Sequence, residues 1–128
     1  MRKRNTVAII VSVVFMILLS GCSGYFAMGW SGNKYPGKFN ASFQYFNGSK
    51  ASKFSVKEGE TLQVNYKSSV EEGDLTIKLY NSEKEVISEL EVNSEGSKEL
   101  KVSKDDKYKL VVAGKKAKGN FDINWKVE

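Results

Sequence analysis

Hydrophobic and polar residues alternate along most of the chain from residue 39 to the end. The segments 39–45, 62–67, 75–80 and 121–127 show the pattern most clearly, with an apolar side chain at every second position. Successive side chains of a β-strand point to opposite faces, so this period places the apolar residues on one face. The pattern therefore predicts strands with one buried and one solvated face.

Turn-forming residues interrupt the alternation at intervals. Asn47-Gly48 is typical of a hairpin turn, because both residue types tolerate positive φ. The other predicted turns are at residues 58–60, 71–74, 81–82, 93–96, 104–106 and 114–119. This spacing predicts about eight short strands in an all-β, antiparallel β-sandwich of the jelly-roll or Ig-like kind, with a barrel as the alternative.

The pattern at residues 86–92 is compatible with two secondary structures. Across these residues, Val86, Ser88, Leu90 and Val92 have strand spacing. Val86, Ile87 and Leu90 would also form one face of a short helix. We predict a strand, because the neighbouring elements are strands.

The amino-terminal segment differs from the rest of the chain because it lacks the alternating pattern and contains a continuous apolar run. Arg2, Lys3 and Arg4 precede a 13-residue run, 7–19, that is apolar except for Ser12. As a helix this run would span roughly 20 Å, whereas the hydrocarbon core of a bilayer is about 30 Å thick. A basic start followed by a short apolar run is typical of a secretory signal peptide helix.

The residues after this run are Leu19-Ser20-Gly21-Cys22, which resemble the lipobox of bacterial lipoproteins. The resemblance implies a diacylglyceryl group on Cys22, cleavage between Gly21 and Cys22, and a protein held on the extracytoplasmic face of the cell membrane. Cys22 is the only cysteine, so an intramolecular disulfide is impossible and acylation would remove a free thiol. The alternative is an ordinary N-terminal membrane anchor with an incidental Cys22.

These features predict three regions: a lipoprotein signal peptide at 1–21, a tether at 22–38 and a β-sandwich domain at 39–128. The tether is rich in glycine but also contains Tyr25, Phe26 and Trp30. These aromatic side chains suit either the membrane interface or packing against the domain. The segments 108–114 and 119–125 resemble the closing hairpin of β-sandwich domains in secreted bacterial proteins. The whole chain resembles small Gram-positive lipoproteins with such a domain, a resemblance that implies no catalytic residues.

Charge argues against nucleic acid as a partner. Three of the 20 basic residues lie in the signal peptide, and the remaining 17 lysines are interspersed with 15 acidic residues. Nucleic-acid binding proteins usually present a clustered basic surface, often with arginine. The one local cluster is Lys115, Lys116 and Lys118, which we interpret as a soluble loop. The alternative is contact with anionic lipid headgroups or anionic wall polymers.

Catalytic signatures are scarce. The chain contains no histidine, which excludes Ser-His-Asp and Cys-His arrangements, and it contains no phosphate-binding glycine motif. Carboxylates cluster at Glu71, Glu72 and Asp74 and at Asp105 and Asp106, but acidic residues are common in turns. We therefore expect no catalytic residues, no metal site and no cofactor.

The aromatic residues have either a structural role or a binding role. The alternation places Trp125, Tyr66 and Tyr108 in the core, whereas Phe46 and Tyr80 fall off the inward face. We interpret Phe46, Tyr80 and the tether aromatics as members of cross-strand pairs. The alternative is that exposed aromatic side chains on a sandwich stack on sugars or on partner proteins. The sequence predicts a noncatalytic binding or accessory module whose partner is an envelope protein or a wall polymer. A small cell-envelope hydrolase and a structural envelope spacer are the alternatives.

Overall fold

The computed structural model describes residues 24–128. The predicted signal peptide, the cleavage bond between Gly21 and Cys22 and the lipidation site at Cys22 lie outside the described residues. Within residues 24–128, the structure has no helix of the length and apolar character required to cross a bilayer.

The described chain forms one antiparallel sheet of seven strands. They are β1 (Tyr25–Met28), β2 (Ser31–Tyr35), β3 (Lys38–Val56), β4 (Thr61–Tyr80), β5 (Val86–Leu90), β6 (Glu95–Lys101) and β7 (Asp106–Val127). Strand β7 lies at the centre between β3 and β4. Strands β1 and β2 follow one another along the outer edge of β3, and β5 and β6 line the outer edge of β4.

The sheet bends across the middle of its three long strands. Register shifts interrupt the pairing between Phe43 and Gly48 on β3 and between Val70 and Asp74 on β4. Such bulges bend a strand and increase its twist. Gly73 has a φ of 73°, and a Cβ there would overlap the carbonyl oxygen of Lys116, so the close crossing of β4 and β7 requires glycine.

The bend divides the sheet into two layers that pack face to face. The first layer comprises 48–56 of β3, 106–114 of β7, 75–80 of β4 and β5. The second comprises 38–43, 119–127 and 61–70 of the same strands, with β2 and β6. Phe54 of the first layer stacks on Trp125 of the second with ring centroids 5.0 Å apart. The predicted all-β, antiparallel sandwich is therefore confirmed.

Side chains from both layers fill one hydrophobic core. The largest fully buried members are Phe39, Phe46, Phe121, Leu62, Ile77, Leu110, Ile123, Val56 and Val112. Trp125, Tyr66 and Tyr108 are buried, as the alternation predicted. Phe46 was predicted to fall off the inward face and is instead completely buried, because the bulge after Phe43 shifts the alternation of β3.

Three predicted turns are wrong. Asn47-Gly48, residues 71–74 and residues 114–119 lie inside β3, β4 and β7, so the predicted closing hairpin is the single strand β7. Positive φ at Gly48 and Gly73 bends the chain there without reversing it. The six predicted segments beside these positions merge into three strands of about 20 residues each, and with β1 and β2 the strands number seven and not eight. The strand predicted over residues 86–92 is confirmed as β5, which ends at Leu90, two residues earlier than predicted.

The predicted tether at 22–38 also needs correction within the described residues. From Tyr25 onward it forms β1 and β2, which pair with β3. Trp30, between these strands, stacks on Phe43 at 5.6 Å and meets Phe46 edge-on at 5.1 Å. The aromatic residues of this segment therefore attach it to the sandwich, and the sheet begins before residue 39.

Candidate functional site

Lysines concentrate on the outer surface of the first layer. Leu110 of β7 and Leu79 of β4 point into the core, so the residues next to them point outward. Lys53 of β3 lies directly opposite Lys109 of β7, and Lys109 lies opposite Tyr80 of β4. We call this outer surface, with Lys53, Lys84, Lys107, Lys109, Tyr80 and Val111, the lysine face.

The lysine face is concave. It contains an open depression of about 520 Å³ lined by Lys53, Tyr80, Asn81, Ser82, Lys84, Lys107, Tyr108, Lys109 and Val111. Its lining combines four ammonium groups with the apolar surfaces of tyrosine and valine. Tyr80, which the alternation placed off the inward face together with Phe46, is partly exposed here.

The turn after β4 positions Lys84 at one end of the depression. The side-chain oxygen of Asn81 accepts hydrogen bonds from the backbone N–H groups of Glu83 at 3.0 Å and Glu85 at 2.9 Å. Lys84 takes a φ of 64°, and its N–H donates to the carbonyl oxygen of Asn81 at 3.1 Å. The Asn81 side chain therefore holds a tight turn in which Lys84 has a fixed backbone position.

The lysines of this face have no ionic partners among residues 24–128. The four ion pairs of the described chain involve Lys98, Lys104, Lys118 and Lys126. Like charges directly opposite each other on neighbouring strands are destabilising, as at Lys53 and Lys109. The sheet thus carries a local electrostatic cost that a bound anion would relieve.

Two carboxylates of the same region are already engaged. A hydrogen bond from Ser82 is the main reason why the pKa of Asp106 is lowered, and a hydrogen bond from Asn81 similarly lowers the pKa of Glu85. Both groups are ionised at neutral pH and stabilise the turn. Neither lines the depression, whose titratable groups are lysines and tyrosines only. The depression therefore suits binding of an anion and has no carboxylate pair of the kind that glycosidases use.

The three lysines predicted from the sequence lie elsewhere, where β7 crosses the bend. Lys118 forms an ion pair of 3.5 Å with Glu71, and Lys115 lies opposite Asp74. The backbone N–H of Lys116 donates to Asn47 at 3.1 Å. The carboxylates of 71–74 face Lys115 and Lys118, so this cluster presents less net positive charge than its sequence suggests.

The outer surface of the second layer provides a contrast. Its cross-strand rows are rich in carboxamide and hydroxyl groups, and its charges alternate in sign. Lys67, for example, lies between Asp122 and Glu95 on the neighbouring strands. On the first layer Lys78 likewise lies opposite Glu89, so the positive surface is confined to the part around Lys53, Lys107 and Lys109.

The predicted carboxylate clusters serve structural roles. Asp105 accepts a hydrogen bond from the backbone N–H of Glu58 at 2.8 Å, which joins two turns. Asp106 accepts from the N–H of Lys107 at 2.8 Å. Residues 24–128 contain no group of three or more potential metal ligands from His, Cys, Asp and Glu.

The lysine face was not recognised from the sequence. Its members are separated along the chain, at residues 53, 80, 84, 107 and 109, and only strand pairing brings them together. The available signal was that Lys53, Lys107 and Lys109 each occupy an outward position of a strand. Recognition would also have required the strand order β3-β7-β4, which the alternation does not specify.

Comparison with solved structures identifies folds similar to this one. The secreted serine protease VesC from Vibrio cholerae matches with a TM-score of 0.58 at 10% identity, over 87% of this chain and 26% of that chain. The periplasmic g-type lysozyme inhibitor PliG from Aeromonas hydrophila gives 0.48 at 15% identity, over 79% and 91% of the two chains. The carbohydrate-binding module TmCBM61 gives 0.46 at 15% identity, over 84% and 89%.

These likenesses concern the fold alone. The chain spans about a quarter of VesC, so that match involves one part of the protease. No family model matches the chain, and no curated protein matches it. The comparisons therefore agree with a β-sandwich and leave the function to be inferred from the site.

Proposed function

We propose that this chain is a lipid-anchored, extracytoplasmic lipoprotein whose sandwich is a noncatalytic module that binds an anionic polymer of the cell envelope. The lysine face is the binding surface. The anchor is the diacylglyceryl group that the lipobox resemblance implies for Cys22.

The observation that carries the binding proposal is the facing pair Lys53 and Lys109 beside Tyr80. The ammonium groups of Lys53 and Lys109 have no ionic partner in the part of the chain that the structure describes. With Lys84 and Lys107 around the same depression, each would contact a phosphate or carboxylate of the ligand. Tyr80 and Val111 offer apolar surface to the sugar or polyol between successive charges. An extended polyanion suits this arrangement, because the lysines are spread along an open surface and do not converge on one point.

Binding is tested with poly(glycerol phosphate) and the lipidated protein in neutral vesicles. We expect Lys53→Gln/Lys109→Gln to weaken binding about 2- to 30-fold, since each exposed charge contact contributes about 0.2–1 kcal/mol. Raising the salt concentration should weaken binding of the wild-type protein, because exposed charges are screened. Neutral dextran serves as the uncharged polymer and should not bind.

The matched control is Lys67→Gln/Lys101→Gln, which removes the same charge from the second layer. If this variant lost as much affinity as Lys53→Gln/Lys109→Gln, net charge and not the lysine face would explain binding. Equal binding of dextran and poly(glycerol phosphate) would also contradict the proposal.

The anchor is tested separately. Cells grown with labelled fatty acid should label the wild-type chain, and Cys22→Ala should remove the label. An unlabelled wild-type protein that retains residues 1–21 would contradict the anchor and leave the binding measurement unaffected.

A further inference from the structure

The described chain exposes large hydrophobic side chains mainly along one edge. Tyr25, Phe26, Met28, Tyr35 and Val86 are the five such residues, each about half exposed. Four of them lie on β1 and β2, next to the amino end, and only Val86 lies elsewhere. Single exposed hydrophobic residues are common on proteins, whereas a concentration on one edge indicates an interaction surface.

Strand register places two of these residues, Phe26 and Met28, on one face together with the partly exposed Tyr45 of β3. Phe26 pairs with Asn47 and Met28 with Tyr45, while Ala27 pairs with the fully buried Phe46. Because side chains alternate along a strand, Phe26, Met28 and Tyr45 share the outer face. Phe26 meets Tyr45 edge-on at 5.8 Å, so the two rings form a joint surface. We call Phe26, Met28 and Tyr45 the apolar patch.

Chain length ties this patch to the bilayer. Phe26 follows Cys22 by four residues, which span at most about 14 Å even when fully extended. A diacylglyceryl group on Cys22 would therefore keep the apolar patch within reach of the membrane interface at all times. We propose that the apolar patch docks on the membrane surface and orients the anchored domain, an inference that rests on the lipid anchor of the proposed function.

The edge backbone limits the depth of this contact. Within residues 24–128, β1 is an outer strand, so half of its backbone N–H and C=O groups have no strand partner there. Such groups require water or headgroups and do not enter hydrocarbon. Phenylalanine, methionine and tyrosine side chains suit the interfacial region, where apolar atoms reach the acyl chains and polar groups stay hydrated.

Charge at the same end of the molecule is compatible with this location. Asn47, opposite Phe26, accepts the hydrogen bond from Lys116, so the exposed Lys115 and Lys116 lie near the patch. The carboxylates of 71–74 lie next to these lysines on the neighbouring strand and offset their charge. We therefore assign docking to apolar contact and not to headgroup charge. The lysine face begins about six residues farther along β3, roughly 20 Å from the patch. Docking would thus hold the lysine face away from the bilayer.

The test uses the lipidated protein in phosphatidylcholine/phosphatidylglycerol vesicles whose acyl chains carry bromine at a shallow or a deep position. Phe26→Trp places a fluorescent reporter in the patch, and Val86→Trp places one at the equally exposed site on β5. The emission of the unmodified protein, from Trp30 and Trp125, is subtracted. We expect the reporter at residue 26 to shift to shorter wavelength and to lose intensity with shallow bromine more than with deep bromine.

The reporter at residue 86 should keep the emission of a solvent-exposed tryptophan. Vesicle-bound protein whose residue-26 reporter is neither shifted nor quenched would overturn docking and leave the anchor intact. A blue shift without bromine quenching would indicate a second copy of the chain at this edge and would also overturn docking. Protein that carries no lipid and does not float with vesicles would overturn the anchor, and the docking inference with it.

Discussion

Reversing the charge of one lysine should stabilise the fold and weaken binding at the same time. Lys53 and Lys109 face each other across β3 and β7, so Lys53→Glu converts a like-charge pair into an opposite-charge pair. Cross-strand charge pairs contribute roughly 0.2–1 kcal/mol, and solvent screening keeps exposed pairs near the lower end. We therefore expect a gain of about 0.5 kcal/mol, which raises Tm by about 2–4 °C for a domain of this size.

The same substitution should weaken binding of the polymer. Lys53→Glu removes one attractive contact and adds one repulsive contact, which together cost about 0.4–2 kcal/mol, or about 2- to 30-fold in affinity. Thermal unfolding followed by circular dichroism measures the first effect, and a binding isotherm with poly(glycerol phosphate) measures the second.

A charge reversal on the second layer supplies the control. Lys67 lies opposite Asp122, so Lys67→Glu creates a like-charge pair, which should lower Tm and leave binding unchanged. The reasoning would be refuted if Lys53→Glu lowered Tm while binding stayed intact, because the facing lysines would then neither destabilise the sheet nor bind the polymer.

Three further predictions concern the fold itself. Phe46→Ala should destabilise the protein by about 3–5 kcal/mol in urea unfolding, because the ring is completely buried; a loss below 1 kcal/mol would contradict its place in the core. Gly114→Ala should also destabilise, since a Cβ would lie 2.5 Å from a ring carbon of Phe46; unchanged stability would show that β3 and β7 are farther apart there. The Tyr66 hydroxyl donates a 2.8 Å hydrogen bond to Glu91, which lowers the pKa of Glu91 and raises that of Tyr66. The contribution of Glu91 to the free energy of unfolding should be present above pH 4.5, the ordinary glutamate pKa, and disappear at lower pH. The contribution of Tyr66 should be present below pH 10, the ordinary tyrosine pKa, and disappear at higher pH. Urea unfolding across this range should show Tyr66→Phe with a shallower acid slope than wild type, and identical slopes would contradict the coupling.

The sequence predicted the fold class because alternation reports which face of a strand is buried. It placed Trp125, Tyr66 and Tyr108 in the core correctly. The predicted turns at Gly48 and Gly73 were wrong because a glycine with positive φ can either reverse a chain or bend it. Here both glycines bend long strands that continue. Local sequence does not distinguish a bend from a reversal, because the difference depends on whether partner strands continue on both sides.

The candidate site depended on contacts between distant segments. The lysines at residues 115–118 were predicted as a basic cluster because they are close in sequence, but Lys118 has a carboxylate partner. Lys53 and Lys109 are 56 positions apart and become neighbours only through the register of β3 and β7. Charge clusters formed across strands are therefore hidden until strand order is known.

The most direct test of the proposed binding surface is lysine footprinting of the lipidated, membrane-bound protein with and without poly(glycerol phosphate). Acetylation rates at individual lysines are read by mass spectrometry. The account predicts that the polymer slows acetylation of Lys53, Lys107 and Lys109, while Lys67 and Lys101 react at unchanged rates. Equal protection of both groups, or protection of the second layer alone, would contradict the assignment of the lysine face.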